Sequence, residues 1–490
     1  MSSKPCSRRL ARGRPWAAQR LGLLGWPCRL AAQGLLLAAT ALPAWVSAAC
    51  VDEERFETPV SAPVSAPAAP AAPAMAASTP LPPEPRAQLL NLVRDALVRS
   101  NGLGAAKLLA EASAQDIEEA RAARKPQASL LGSVAPSLTS ANTLTGAQLQ
   151  VNAGVSISQT LYDGGRGDRM VGWRFQQSEA ARLGLLSIQE QITLSTASLA
   201  FERSRFRMQA MIYGQNVRKM TCLVQALEAI VNADKGRLSE LVQARKQMGM
   251  ADLQQAQAVS QARQVEAKLR RMAGDGLPAV AGFGTLLLAV PELVDLLSAA
   301  ERSADIGAMD ANAAGLREIA RVVEASTKPQ VSWNLGGSVT VAGGTAALAG
   351  DSGSSHNLSL SGGVTVNIPL LNPSVGYSIQ AARKRAEAAT FQRAEALEAR
   401  RQRIVETHEQ AGAAFERVRR VALVLRDSEQ LRNFTLQQWQ QMGRRSLFDV
   451  IGAESEHYNL RVQYINALHD GQQMNATLTS LGTGLSAWLQ

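Results

Sequence analysis

The sequence has too few cysteines for a disulfide framework. Of its four, Cys6 and Cys28 lie in an N-terminal leader, Cys50 follows it directly, and Cys222 sits in a helical run where a buried thiol is the ordinary reading. Beyond the leader no stretch approaches the ~18 uninterrupted apolar residues of a membrane-crossing helix. Catalytic signatures are missing as well. His356, His408, His457 and His469 show neither HExxH nor other metal-ligand spacing, and His356 lies in a glycine-serine loop. There is no GxxxxGK[ST] phosphate loop, and the "GFG" at Gly282 is not followed by a suitable helix. With no nucleophile elbow and no clustered acid-base pair, the residues argue against an enzyme, a hydrolase included, and imply no cofactor and no metal.

A charge surplus is also lacking once it is located. Of the formal charge of +10, seven positive residues (Lys4, Arg8, Arg9, Arg12, Arg14, Arg20 and Arg29) fall within residues 1–49, which contain no acid. A basic balance confined to a leader says nothing about nucleic acid, and no nucleic-acid partner is expected. The leader continues as "LAAQGLLLAATALPAWVSA", an apolar run ending in small residues, and reads as a secretory signal over residues 1–48 with cleavage after Ala48 or Ala49. Ser47 stands where a lipoprotein signal carries leucine, which argues against lipidation of Cys50. Without a spanning helix, such an exported chain is either soluble or a β-barrel.

Residues 49–86 are rich in proline and alanine, a composition that stays extended and serves as a stiff linker. The remainder of the chain is written twice. Repeat 1 (87–287) and repeat 2 (288–490) each open with a helical segment, Leu89–Arg124 and Leu293–Thr327, that stops at "KPQ". Pro126 and Pro329 are the breaks, since proline removes a donor and clashes with the preceding turn. Lys328 follows Lys125 by 203 residues, Val364 follows Val155 by 209, and Gly443 follows Gly236 by 207. Near-constant spacing at three landmarks indicates duplication.

Each repeat then has two alternating segments, about 127–139 and 148–161, then about 330–342 and 357–370. Leu149, Val151, Ala153, Val155 and Ile157 alternate with Gln148, Gln150, Asn152, Gly154, Ser156 and Ser158. One face is apolar and the other small, polar and uncharged, the pattern of a transmembrane barrel with lipid outside and water inside. The strands exit at Tyr162, Gly164 and Gly165, and at Pro369 and Pro373. Long helical hairpins come next, with tips near Gly236 and Gly443. Leu185, Ile192, Leu199, Phe206, Tyr213, Met220 and Leu227 recur every seven residues, as do Leu397, Ile404, Ala411, Val418 and Leu425, which predicts coiled-coil packing. About 70 helical residues extend roughly 105 Å, so these helices stand away from the bilayer.

Four strands cannot close a barrel, and open edges are not tolerated in lipid. Identical copies must complete the wall. Two copies would give an eight-stranded barrel filled by its own side chains, whereas three give twelve strands and a lumen. The fold expected is therefore a mixed α and β membrane protein: a homotrimer with a 12-strand β-barrel, four strands per chain, continuous with an α-helical coiled-coil barrel.

In this order, the K-P-Q helix ends, the "LYDGG" strand exit, the tips "GRLSELVQAR" and "GRRSLFDVIGAE", and the duplication resemble the TolC-like outer-membrane channels of Gram-negative bacteria, over roughly Leu89 to Leu489. That resemblance implies an outer-membrane location with the helical part in the periplasm. It also implies docking onto a periplasmic adaptor (membrane fusion) protein and an inner-membrane ABC transporter or proton-driven pump. The channel would be a passive exit duct for type I secretion of a protein such as a toxin, or alternatively for multidrug or small-molecule efflux. By the same resemblance Glu240, Arg445 and Asp449 form a periplasmic gate, with Gly236, Ser239, Gly443 and Ser446 at the tip turns and adaptor-docking surface. Gly452 and Gln440 stand where the family carries a second carboxylate and a tyrosine. A periplasmic coiled-coil adaptor or scaffold without a pore shares the heptads and the leader, but does not account for the four amphipathic strands.

Overall fold

The computed structural model describes residues 84–141, 144–233, 235–278, 283–346, 352–439 and 446–490. The signal and most of the linker lie outside these residues, as do Gln440, Gly443 and Arg445. In chain order the elements are α1 (Pro85–Arg99), α2 (Asn101–Ala122), β1 (Gln127–Ala141), β2 (Leu144–Tyr162), α3 (Arg166–Ala233), α4 (Leu238–Ala273), α5 (Leu293–Ala300), α6 (Ala304–Ala325), β3 (Gln330–Ala346), β4 (Ser352–Asn367), α7 (Pro373–Gln437), α8 (Leu447–Leu481) and α9 (Leu485–Leu489).

The opening helical segment of each repeat is two helices rather than one. Ser100 turns extended between α1 and α2, and its hydroxyl accepts the Leu103 N–H at 3.1 Å, so the break is also a cap. In repeat 2 the break falls between α5 and α6, where the Ser303 hydroxyl donates to the Ala300 carbonyl at 2.7 Å. The first described helix starts at Pro85, inside the stretch read as linker; proline at a first helical position loses no hydrogen bond.

The four strands form one antiparallel meander in the order β1-β2-β3-β4, which leaves β1 and β4 as open edges. β1 tolerates Pro136 because it is such an edge. Cross-strand partners keep like with like on the apolar face: Val134 opposite Val151, Val151 opposite Val341, and Val339 opposite Leu358. The other face is a ladder of short polar side chains bonded across the strands. Ser129 meets Ser156 at 2.8 Å, Asn152 donates to Ser133 at 3.4 Å, Thr340 donates to Asn152 at 2.6 Å, and Ser338 meets Ser359 at 2.7 Å. β4 ends at Asn367, short of the expected 370, because Pro369 has no N–H to continue the ladder.

α3 and α7 are single helices of 68 and 65 residues, about 100 Å long at the usual rise. α2 and α4 pack along α3, while α6 and α8 pack along α7 and also against α3. The heptad stripe of α7 is buried throughout: Leu397, Ile404, Ala411, Val418 and Leu425 are at most 6% exposed. On α3 the buried set is different. Met220 and Leu227 of the expected stripe are fully buried, but Leu185, Ile192, Leu199, Phe206 and Tyr213 are only half-buried, whereas Thr193, Thr196, Ala197, Ala200, Phe201 and Ser204 are enclosed. α3 has helices on several flanks, so its buried sector is broader than one seam and centred beside the expected stripe.

The middle of the helical region is fastened by the segment between the repeats. Gln472 donates its amide to the Phe283 and Leu286 carbonyls at 2.9 and 2.8 Å, and Asn475 donates to Leu287 and Ala289 at 2.7 and 3.1 Å. Leu287 carries a left-handed φ of 54°, a strained conformation for leucine that these buried amides hold in place.

Candidate functional site

The residues singled out in the sequence gather at two places: the turn between helix and sheet, and the helix tips. At the first, α2 ends at Ala122 and α6 at Ala325; Pro126 and Pro329 immediately precede β1 and β3. The strand exit "YDGG" is a capping device. Asp163 accepts the Gly165 N–H at 3.0 Å through one carboxylate oxygen and the Gly167 N–H at 2.6 Å through the other, supplying acceptors that the start of α3 lacks. Gly164 and Gly165 have φ of 68° and 86°, where side chains are strained. Above Gly164 lies Lys328 of the second "KPQ", whose ammonium donates to the Gly164 carbonyl at 3.1 Å. A Cβ on Gly164 would sit 2.5 Å from that lysine.

A bulge between Thr160 and Tyr162 places Tyr162 opposite Val331, on the apolar face. There it shares the helix-side end of the sheet with Trp333, whose indole N–H donates to Gln159 at 3.2 Å. Two aromatics at one rim of an apolar band match the interfacial girdle of membrane barrels. In repeat 2, Pro369 follows the end of β4, and Pro373 occupies the first position of α7.

At the tips, Gly236 is exposed in the 3-10 turn Lys235–Arg237, and Ser239 is exposed at the start of α4. Glu240 lies in the first turn of α4 and Asp449 in the first turn of α8, both favourable placements for carboxylates against the helix dipole. One Glu240 carboxylate oxygen is enclosed without a hydrogen bond among the described residues. Ser446 caps α8, its hydroxyl accepting the Phe448 N–H at 3.2 Å. One apolar cluster (Leu227, Leu241, Ala244, Leu447, Val450 and Ile451 among its members) fastens the two tips together. The arginine of the expected gate, Arg445, lies outside the described residues, as does Gly443. Gly452 is exposed, with open space where a side chain would be.

Deeper along α8, sequence reasoning missed a buried ionic group. Glu454 is fully enclosed, with Lys219 of α3 at 3.9 Å and Arg432 of α7 at 4.0 Å. The signal was available. Leu447, Ile451, Glu454, Tyr458, Arg461, Ile465 and Leu468 fall at three- and four-residue spacing, so two charged residues occupy core positions of α8. A second buried pair joins α3 to α4: Arg203 donates to Glu266 at 2.9 Å and to the Pro278 carbonyl at 2.8 Å, and Arg207 also reaches Glu266. Burial lowers the Arg203 pKa; Glu266 is lowered too, because its two arginines outweigh the burial that opposes them.

His469 of α8 is buried and bonded through Nδ1 to the Ile465 carbonyl at 2.9 Å. Loss of water pushes its pKa down to about 4, and the nearby Arg205 pushes in the same direction. Among the described residues no three histidine, cysteine or acidic side chains are grouped to hold a metal ion, and no helix is long and apolar enough to cross a membrane.

A family model described as "Outer membrane efflux protein" matches residues 92–275. No curated protein matches the sequence. Among solved structures, a membrane protein from Pseudomonas aeruginosa aligns with TM-score 0.70 at 15% identity, over 81% of this chain and 92% of that one. CusC, whose description concerns folding and transmembrane channel formation, aligns with TM-score 0.68 at 16% identity, over 81% and 92%. The outer membrane protein VceC from Vibrio cholerae aligns with TM-score 0.67 at 18% identity, over 81% and 97%. The likeness therefore spans both repeats, strands and helices together.

Proposed function

We propose that the chain is a channel of the outer membrane efflux protein family, TolC-like, and that three copies assemble into a duct through the outer membrane and periplasm; the family model over residues 92–275 supports this reading. The observation that carries this reading is the sheet: four strands with two open edges, one apolar face and one face of cross-bonded hydroxyls and amides. Unpaired strand edges cost several kcal/mol per group in lipid. Closure by copies removes them, and twelve strands leave a water-filled lumen lined by the polar face. The long helices continue that lumen into the periplasm.

The chain is a conduit and not an enzyme, so energy and substrate come from an inner-membrane pump through a periplasmic adaptor. The tips at Gly236, Ser239 and Ser446, with Gly443, form the end that meets the adaptor. Glu240 and Asp449, repeated by symmetry around the mouth, concentrate negative potential there, and Arg445 bridges neighbouring hairpins to hold the mouth closed. For the cargo, the family description favours efflux of small molecules. Export of a protein such as a toxin by type I secretion is the second reading, favoured by the resemblance of the "LYDGG" exit.

Purified protein in planar bilayers, sized by light scattering, tests the proposal. Trimers that conduct ions support it. Monomers that conduct nothing, or a protein recovered in the soluble periplasmic fraction, support the adaptor reading instead. Deleting the gene separates the cargoes: sensitivity to small toxic compounds marks efflux, and loss of one polypeptide from the medium marks secretion.

A further inference from the structure

The two repeats share one kind of helix-to-strand exit, yet only the first surrounds it with cations. A cavity of about 310 Å³ opens where the end of α2 meets the end of β2. It is lined by Arg121, Arg124, Lys125, Gln159, Thr160 and Leu161, three bases and no acid. Repeat 2 supplies an internal comparison. Carried forward by 203 residues, Arg121 and Arg124 become Glu324 and Thr327; carried forward by 209, Gln159 becomes Ile368. Lys125 has an equivalent in Lys328, but that ammonium is bonded to the Gly164 carbonyl. The second exit is built without the basic group, so the turn itself does not require it.

Nor do these cations serve to finish α2. Basic residues in a last turn often satisfy the final carbonyls of a helix. Here two amides do so. Gln127 donates to the Ala122 and Lys125 carbonyls at 3.0 and 3.2 Å, and Gln159 donates to the Arg124 carbonyl at 3.2 Å. Arg121 is held by Glu118 at 2.5 Å and Arg124 by Asp168, one carboxylate each. A guanidinium carries five N–H donors, so both arginines keep donors for a further acceptor. Their side chains are 56% and 52% exposed, and Lys125 is exposed beside them.

The level of the cavity decides the class of ligand. Gln159 lies on the apolar face of the sheet, opposite Trp333, and accepts its indole N–H at 3.2 Å. One side chain therefore joins the aromatic rim to the basic cavity. Tryptophan rims sit at the headgroup level of a bilayer, where lipid phosphates lie. Leu161, at the bulge between Thr160 and Tyr162, is 57% exposed beside the cations. We propose that this cavity binds a phosphate group, the phosphodiester of an anionic phospholipid in the leaflet facing the periplasm. The arginines donate to the phosphate oxygens, Lys125 adds positive charge, and Leu161 with the apolar face from Ile157 onward lies against the acyl chains. The assignment rests on the outer-membrane channel proposed above and adds a lipid site to each protomer.

Full-length protein, purified from membranes in detergent and stripped of lipid, is titrated with dioleoyl phosphatidylglycerol, dioleoyl phosphatidylcholine or inorganic phosphate. Bound lipid is counted by native mass spectrometry. Phosphatidylglycerol should bind at one copy per protomer and raise the melting temperature, as a ligand of the native state does. R121Q/K125Q should weaken that binding by roughly tenfold or more, the size of one lost hydrogen bond to a charged group. R317Q/R385Q, which removes two exposed cations outside the cavity, should bind as the parent does. Equal affinity for both lipids, or for the parent and R121Q/K125Q, overturns the site while the channel reading stands. Inorganic phosphate that matches phosphatidylglycerol at equal concentration assigns the cavity to free anions and overturns the lipid. A protein recovered in the soluble periplasmic fraction overturns the membrane reading and the lipid site together.

Discussion

Glu454 has no solvent exposure, and the ammonium of Lys219, from a different helix, stands 3.9 Å from its carboxylate. With Arg432 at 4.0 Å, this single acid ties the two helical hairpins to each other a few turns from their tips. Removing one member of a buried ion pair strands the others, at a typical cost of about 3–5 kcal/mol. Glu454→Gln should therefore lower the melting temperature of the detergent-purified protein clearly. Replacing all three with apolar residues of similar volume should recover most of the loss. A melting curve unchanged by Glu454→Gln would show that the carboxylate contributes nothing net.

The strand exit yields a ranking. Gly164→Ala meets both a left-handed φ and the Lys328 side chain, whereas Gly165→Ala meets the backbone strain alone. Gly164→Ala should lose the more assembled protein. Asp163→Ala removes the α3 cap and should cost about 0.5–2 kcal/mol. Thermal melts of the three variants side by side check the order.

His469 makes stability depend on pH. Its folded pKa of about 4 lies below the unfolded value near 6.5, so between them the unfolded chain binds the extra proton. The stabilisation is fully present above about pH 6.5 and is lost as pH falls toward 4, amounting to about 3 kcal/mol across that window. His469→Gln should flatten this part of the pH–stability profile. An equally steep acid limb in the variant would assign it to other groups.

At the proposed entrance, neutralising Arg445 should raise single-channel conductance by removing the proposed bridge between hairpins. Glu240→Gln with Asp449→Asn should weaken cation preference, read as a shift of reversal potential in a salt gradient. Unchanged conductance in the first and unchanged reversal potential in the second would take both groups out of the gate.

Much of this architecture was legible because it obeys simple periods. Strand alternation from Leu149 to Ile157 separated the two faces, and the seven-residue repeat from Leu397 to Leu425 located the seam of α7. On α3 the same rule found the buried Met220 and Leu227 but missed the buried side from Leu185 to Tyr213, since a helix packed on several flanks buries residues that one heptad stripe does not contain. Glu454 and Arg461 went unseen because charges on a helix read as surface unless the core spacing of α8 is counted through them. The breaks at Ser100 and before Ala304 were hidden for another reason: neither carries proline, and short extended links leave the surrounding helical pattern intact.

The ladder on the polar face has its own consequence for traffic. Ser129, Asn152, Ser156, Thr340 and Ser338 already use hydrogen-bonding capacity on one another, and the face they form carries no formal charge. In the proposed duct, a solute gliding past such a surface would find few fixed handles and no ion to grip. Passage along it would be governed by girth and hydration rather than by adhesion, and discrimination among cargoes would fall to whatever loads the far end.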